Sequence, residues 1–256
     1  MARESVSKTF GVAIVLAAVC SLLVSGAAIG LRPMQEANKI RDRKKNILMV
    51  AGLYDETASV KESFKQIESH IVDLATGEYV SKDQQLDPET FDQRAAARDP
   101  ELSVAIPPEK DLAGIGRREK YSLVYLVKKD GKLDQVILPI DGKGLWSTLY
   151  GFLALEGDLN TVKGITFYEH AETPGLGGEI DNPTWKAKWA EKKIYDKDGS
   201  VQLNVAKAAA DKNNPHQVDG LSGATLTANG VTNLVQYWLG DDGFKKLLEQ
   251  MKAEGA

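Results

Sequence analysis

The chain carries one cysteine, Cys20, so an internal disulfide and any cysteine-based metal site are excluded. Its histidines, His70, His170 and His216, lie far apart with no metal-ligand spacing, and no Ser-His-Asp arrangement can be read. There is no basic excess either. A formal net charge of −4 argues against a nucleic-acid partner, because neutralising phosphates needs a positive field. The Gly-x-Gly-x-x-Gly fingerprint of a dinucleotide fold is absent. The glycines of His170-Ala171-Glu172-Thr173-Pro174-Gly175-Leu176-Gly177-Gly178 have the wrong spacing, and no long helix follows at once. Internal repeats and low-complexity tracts are missing too. What remains is an ordinary globular composition, 43% hydrophobic and 27% charged, over 256 residues, enough for one sizeable domain.

One long uncharged run stands out near the start. Phe10 to Leu31 spans 22 residues, roughly 33 Å as a helix and enough to cross a hydrocarbon core of about 30 Å. Arg3 and Lys8 before it, and Ser25-Gly26-Ala27 within it, also suit a signal peptide. The run is longer than a signal's apolar region, so a retained anchor is expected over 10–31. Val19 is too bulky for a lipoprotein cleavage site before Cys20. Arg32, Lys39, Arg41, Arg43, Lys44 and Lys45 follow the run, and charge counting therefore leans toward a cytoplasmic domain. Long domains escape that rule, so sequence physics leaves the side open.

Beyond the anchor, Ile40, Ile47, Leu48 and Val50 suggest a helix leaving the membrane. Val60, Phe64, Ile67, Ile71 and Leu74 recur at spacings of four and three, which predicts a helix over Glu56–Ala75 packed on the core. Ser81–Pro100 is polar, without periodicity, and reads as a surface excursion. Together, 32–120 is expected to be helical and irregular. The pattern then becomes β-rich. Tyr121–Lys128 and Gln135–Ile140 flank Asp130-Gly131, a hairpin signal, and Thr148–Leu155 and Val162–His170 flank Glu156-Gly157-Asp158. A short helix near Trp185–Lys193 and a strand at Val201–Ala206 follow. Helices over Thr225–Leu239 and Phe244–Met251 close the chain. The expected class is α+β: one transmembrane helix, then a mostly antiparallel sheet with flanking helices over 121–256.

The densest signal is Asp219-Gly220-Leu221-Ser222-Gly223-Ala224-Thr225, with Thr225 where a helix should begin. A helix start offers unpaired N–H groups and a positive dipole end, so it stabilises a phosphate, and glycines let one approach. Taken alone, the stretch reads equally well as a turn with an N-cap. It resembles the flavin-attachment motif of proteins that carry FMN esterified through its phosphate to threonine. The Glu172-to-Gly177 loop resembles the flavin-covering loop of the FMN-binding domain family. With the anchor, Gly144-Leu145-Trp146, Gly164–His170 and Asp181-Asn182-Pro183-Thr184-Trp185, the whole chain is similar to the C subunits of sodium-translocating NADH:quinone reductases. The G subunits of Rnf electron-transport complexes share the flavin loops but usually lack the Asp-Asn-Pro-x-Trp extension.

That resemblance implies covalent FMN on Thr225, installed from FAD by a separate flavin transferase. Asp219 and Ser222 would serve recognition or local geometry, although Asp219 is equally well a plain turn residue, and Gly223 and Ala224 would belong to the cofactor-binding stretch with them. It implies electron transfer inside a complex that oxidises NADH, reduces ubiquinone and exports sodium, with no self-contained catalytic site and no metal in this chain. It also implies a single-pass protein of the bacterial inner membrane, with 1–9 cytoplasmic and the flavin domain periplasmic, against the charge count. Around the ring, Glu172, Thr173, Gly175 and Leu176 are expected on one side, Trp146 as an aromatic face, and Lys207 near the phosphate or the pyrimidine side. A membrane-anchored redox sensor or scaffold with the same cofactor is the alternative.

Overall fold

A computed structural model describes residues 5–80 and 86–255. The chain divides into two units, Met1–Arg43 and Lys44–Ala256. Helix α1, Val6–Val50, takes in the whole predicted span. In the first unit its apolar side chains, Phe10, Ile14, Leu16, Leu22, Leu23 and Ile29 among them, are exposed, as expected of a helix solvated by lipid. Arg32 and Glu36 pair across one turn at 3.0 Å beyond the uncharged run.

The second unit is built on a five-stranded sheet. After a short helix α2, Val60–Ser63, and a 3-10 turn at Phe64–Gln66 comes β1, Ile67–Asp73. Helix α3, Gln93–Arg98, and a two-stranded ribbon of β2, Ser103–Ala105, and β3, Arg117–Glu119, precede the long strands. These are β4, Tyr121–Lys129; β5, Lys132–Lys143; β6, Thr148–Glu156; and β7, Val162–Glu169. The sheet order is β1-β4-β5-β6-β7, every pair antiparallel. Both predicted hairpins are present. Asp130 and Gly131 sit at φ 53° and 78°, the left-handed pair that matches a tight hairpin turn to the twist of its strands.

Each face of the sheet is covered, so the strands read as nearly continuous apolar runs. Val136, Leu138 and Ile140 of β5 point to one core and Ile137 to the other. The second core takes Ile47, Leu48, Val50 and Ala51, where α1 ends against β1 and β4. The first takes the C-terminal helices: α4, Pro183–Lys186, followed by a 3-10 turn at Ala187–Trp189; α5, Thr225–Trp238; and α6, Lys245–Ala253. Trp189, Trp238 and Phe244 are fully buried there, each contributing about 1.5–3 kcal/mol of apolar burial. Between α4 and α5, β8, Asn204–Val205, pairs in parallel with β9, Gln217–Val218.

Several expectations change. The predicted helix over 56–75 stops at Gln66, and Ile67–Asp73 is the edge strand β1. A spacing of four is compatible with a helix face and with one side of a strand, and Ile67 and Ile71 do share one core. Val72 and Leu74 belong to the opposite core, an alternation that a helical face does not allow. The sheet therefore draws on residues before 121. Residues 81–85 of the polar excursion, like 1–4 of the N-terminal flank, lie outside the described residues, but the rest of that excursion is not idle surface. Asp92 caps α3 by accepting from the Ala95 N–H. Arg94 then lies over the Tyr150 ring at 3.6 Å and grips Glu169 through two nitrogens at 2.7 and 2.8 Å. A cation–π contact and an ion pair hold this helix, so it shows no apolar stripe. The helix expected near 185–193 spans Pro183–Trp189, because Asn182 caps it, accepting from the Thr184 N–H, and Pro183 suits its first turn. The strand expected over 201–206 shrinks to Asn204–Val205 plus a bridge from Val201 to Tyr195.

Candidate functional site

The motif between β9 and α5 is held by alternating burial. Leu221 and Ala224 are buried while Ser222, Gly223 and Thr225 face outward. At Gly220 the chain crosses the Ala206–Ala208 segment so closely that a Cβ would lie 2.9 Å from the Ala208 oxygen. The Gly220 N–H donates to that oxygen at 2.6 Å. Gly223 sits at φ 71°, a conformation that glycine adopts without strain, and lets the Ala224 N–H turn back to the Leu221 carbonyl at 3.1 Å. Helix α5 begins at Thr225. Its cap is Ala224, which has no side-chain acceptor for the leading N–H groups. The first ladder bond runs from the Ala228 N–H to the Ala224 carbonyl at 3.0 Å. Thr225, Leu226 and Thr227 thus present their N–H groups ahead of the ladder, at the positive end of a 14-residue helix.

Asp219 is anchored at three points. Lys188 Nζ reaches its carboxylate at 2.7 Å, and the Ala210 N–H donates to the other oxygen at 2.7 Å. Its backbone carbonyl accepts from Trp185 Nε1 at 2.8 Å. The Lys188 ammonium, then the Ala210 N–H, hold its carboxyl below the usual range. In this way the Asp-Asn-Pro-x-Trp segment is tied directly to the motif.

Glu172 is the convergence point on the other side. Its carboxylate accepts from the N–H groups of Leu145 at 3.3 Å, Trp146 at 2.9 Å and Ser147 at 3.3 Å. Thr227, fully buried in the first turn of α5, donates its hydroxyl at 2.6 Å. Burial alone would raise the Glu172 pKa, but the donors, Thr227 foremost, outweigh it and hold the group below its ordinary value. The Ala171 N–H closes the same junction by donating to Ser147 Oγ at 2.7 Å. Past Glu172, the Leu176 and Gly178 N–H groups both turn back to the Thr173 carbonyl, at 3.1 and 2.9 Å, across Gly175 at φ 76°.

Four large apolar side chains are exposed on these segments: Leu145, Trp146, Leu176 and Leu226. Leu176 lies over Gly223, its Cδ2 3.0 Å from where a Cβ would be. An exposed hydroxyl on an uncapped helix start, beside a glycine crossing and apolar walls, fits a phosphate attached to a flat aromatic group.

The FMN-binding domain family model matches residues 144–240, the span from the Gly144 turn to the end of α5. Over 98% of this chain and 97% of its own length, the C subunit of the Na(+)-translocating NADH-quinone reductase of Pseudomonas aeruginosa is 50% identical. That of Vibrio alginolyticus is 47% identical over 98% and 96%. The crystal structure of Shewanella oneidensis NqrC superposes with a TM-score of 0.76 at 36% identity, covering 84% of this chain and 99% of that one. The chain belongs to the NqrC family. These relatives are C subunits of sodium-translocating reductases, not the Rnf G subunits that share the flavin loops.

On this NqrC fold the expected site residues fall into two groups. Trp146, Glu172, Thr173, Gly175, Leu176, Ser222, Gly223, Ala224 and Thr225 come together through the Glu172 junction and the Leu176–Gly223 contact. Asp219 and Lys207 lie at the other end of the motif, where Gly220 packs on the Lys207 backbone, its would-be Cβ 2.9 Å from the Lys207 carbonyl carbon. The Lys207 side chain is exposed. The Glu172 carboxylate is committed to protein donors, the N–H groups of 145–147 and the Thr227 hydroxyl. Thr227 and Ser147 join the site without having been expected there. A second threonine in the first turn of an apolar helix, two residues after Thr225 and so on another face, was the available signal. The histidines stay apart, His170 pairing with Asp181 at 2.8 Å and His216 meeting the Lys193 carbonyl at 2.8 Å. Among the described residues no group of three His, Cys, Asp or Glu is arranged to hold a metal ion.

Proposed function

We propose that the chain is the electron-transfer subunit of a membrane complex that oxidises NADH, reduces ubiquinone and exports sodium, and that it carries FMN esterified through its phosphate to Thr225. The observation that carries this is the exposed Thr225 hydroxyl at the uncapped start of α5, in a chain of the NqrC family. Bound FMN supplies reversible electron transfer, and attachment through the phosphate leaves its ring unmodified. The protein's share is retention and environment. The Leu226 and Thr227 N–H groups would hold the phosphate, Gly223 would leave it room, and Trp146, Leu176 and Leu226 would give the ring apolar contact. Lys207 carries a positive charge at the far end of the motif, which would favour a negatively charged reduced ring. A flavin transferase would transfer FMN from FAD to the threonine hydroxyl, breaking the FAD pyrophosphate bond with AMP as the leaving group and releasing the hydroxyl proton, and Asp219 and Ser222 would shape the loop it reads.

In this reading Phe10–Leu31 crosses the bacterial inner membrane once, beside the other subunits, and the flavin domain faces the periplasm. Fusions of alkaline phosphatase and of a cytoplasm-active reporter to the C-terminus test the side; activity of the second alone rejects it. Deleting the subunit should abolish sodium-stimulated quinone reduction in membranes while leaving NADH oxidation by soluble acceptors. Unchanged quinone reduction would reject the complex and favour a redox sensor.

A further inference from the structure

Glu172 and Thr227 sit where three segments, distant in sequence, meet. The Gly144–Ser147 turn carries Trp146, the Ala171–Gly177 loop carries Leu176, and the first turn of α5 carries Thr225 and Leu226. The Glu172 carboxylate, carried on the second of these, binds the other two, with three backbone N–H groups and the Thr227 hydroxyl as donors. Two glycines wall it. A Cβ at Gly177 would fall 2.5 Å from Thr227 Oγ1 and 2.8 Å from Glu172 Oε2, and one at Gly144 would fall 2.7 Å from Oε1. Neither position tolerates a side chain while the junction is closed. An acceptor with four donors must keep both oxygens, so glutamine, which replaces one by NH₂, sets donor against donor.

We propose that Glu172 and Thr227 form a latch that fixes the first turn of α5 against the Trp146 turn and the Leu176 loop, and that both are positioning residues for flavin attachment at Thr225. The latch also decides between two hydroxyls in one helical turn. That of Thr227 is buried and bound to Glu172, while that of Thr225 is exposed. This rests on the reading that Thr225 carries FMN.

The test is the initial rate of FMN incorporation into the full-length chain, co-expressed with a flavin transferase and followed by the mass of the Thr225 peptide. Thr227→Val and Glu172→Gln should slow it by roughly tenfold or more, the scale of loss from ångström-level misplacement. They should also weaken the visible circular dichroism of the attached flavin, because its surroundings are less ordered. Thr227→Ser, which keeps the hydroxyl, should restore both. Wild-type rate and dichroism in Thr227→Val, even with a lowered melting temperature, would overturn the latch. If the valine variant does not fold, Gly177→Ala against Thr227→Ser decides: a slowed alanine variant beside an intact serine variant supports the latch, and equal rates overturn it. Lack of any adduct at Thr225 in the wild type would instead defeat the function proposed above, so the two failures are distinguishable.

Discussion

Replacing Gly230 by alanine sets two effects of opposite sign against each other. Gly230 lies inside α5, where alanine is ordinarily favoured by about 1 kcal/mol. Here α5 crosses the end of β5. A Cβ at 230 would press into the Lys143 carbonyl oxygen and lie 3.3 Å from the Cα of Gly144 and 3.4 Å from the Lys143 carbonyl carbon. All of these are backbone atoms, so no rotamer change relieves the contact. Overpacking of this kind costs about 1–3 kcal/mol, leaving a net loss of up to about 2 kcal/mol after the propensity gain. For a unit of this size that lowers the melting temperature by up to roughly 8 °C. The displaced segment leads straight into the Trp146 turn, so flavin incorporation should slow as well. Thermal unfolding followed by circular dichroism, with Asn229→Ala on the exposed face as control, measures the sign. The control should be neutral or slightly stabilising. If Gly230→Ala is stabilised as much as the control, the close approach of α5 to β5 is wrong.

Further expectations follow from the charges. Glu119 is buried, and burial with the nearby Asp141 carboxylate raises its pKa to about 7, while burial likewise raises Asp141 to about 7 against the partial pull of Arg94. An acid whose folded pKa is raised contributes stability that is full below its unfolded pKa and is lost as pH climbs through the folded value. Unfolding free energy should therefore fall between about pH 4.5 and 7, and Glu119→Gln should flatten that fall, with denaturant melts at pH 5 and 8 as the check. Asp219→Ala should cost about 1–2 kcal/mol in the same melts, since it strands the Ala210 N–H. Lys188→Met should cost under about 1 kcal/mol, because that ion pair is partly exposed. Lys207→Ala should lower the flavin midpoint potential, where about 59 mV marks a tenfold change for one electron, and an unchanged titration would remove Lys207 from the site.

Much of the architecture was legible because its signals were local. Asp130-Gly131 needs nothing beyond its own left-handed turn to announce a hairpin, and Gly240 marks the end of a helix by itself. β1 was not legible, because Ile67 and Ile71 satisfy both periods and only pairing with β4 chooses between them. Helix α3 was hidden for a different reason. It is secured by Arg94 on Tyr150 and Glu169, contacts that span 75 residues of sequence for the ion pair and leave no periodic trace. At the site, glycines and the Thr225 helix start were readable from the local pattern alone. The role of Glu172 was not, since its donors come from the 144–147 turn and from α5, which only the folded sheet brings together.

Whether Thr225 holds the flavin is decided by mass spectrometry of the full-length protein made alongside a flavin transferase. The expected result is an adduct of FMN minus water on the peptide that contains Thr225, with fragments placing it on that residue, and none in Thr225→Ala. An adduct that persists in Thr225→Ala, or that maps to another residue in the wild type, would contradict the attachment site and the function built on it.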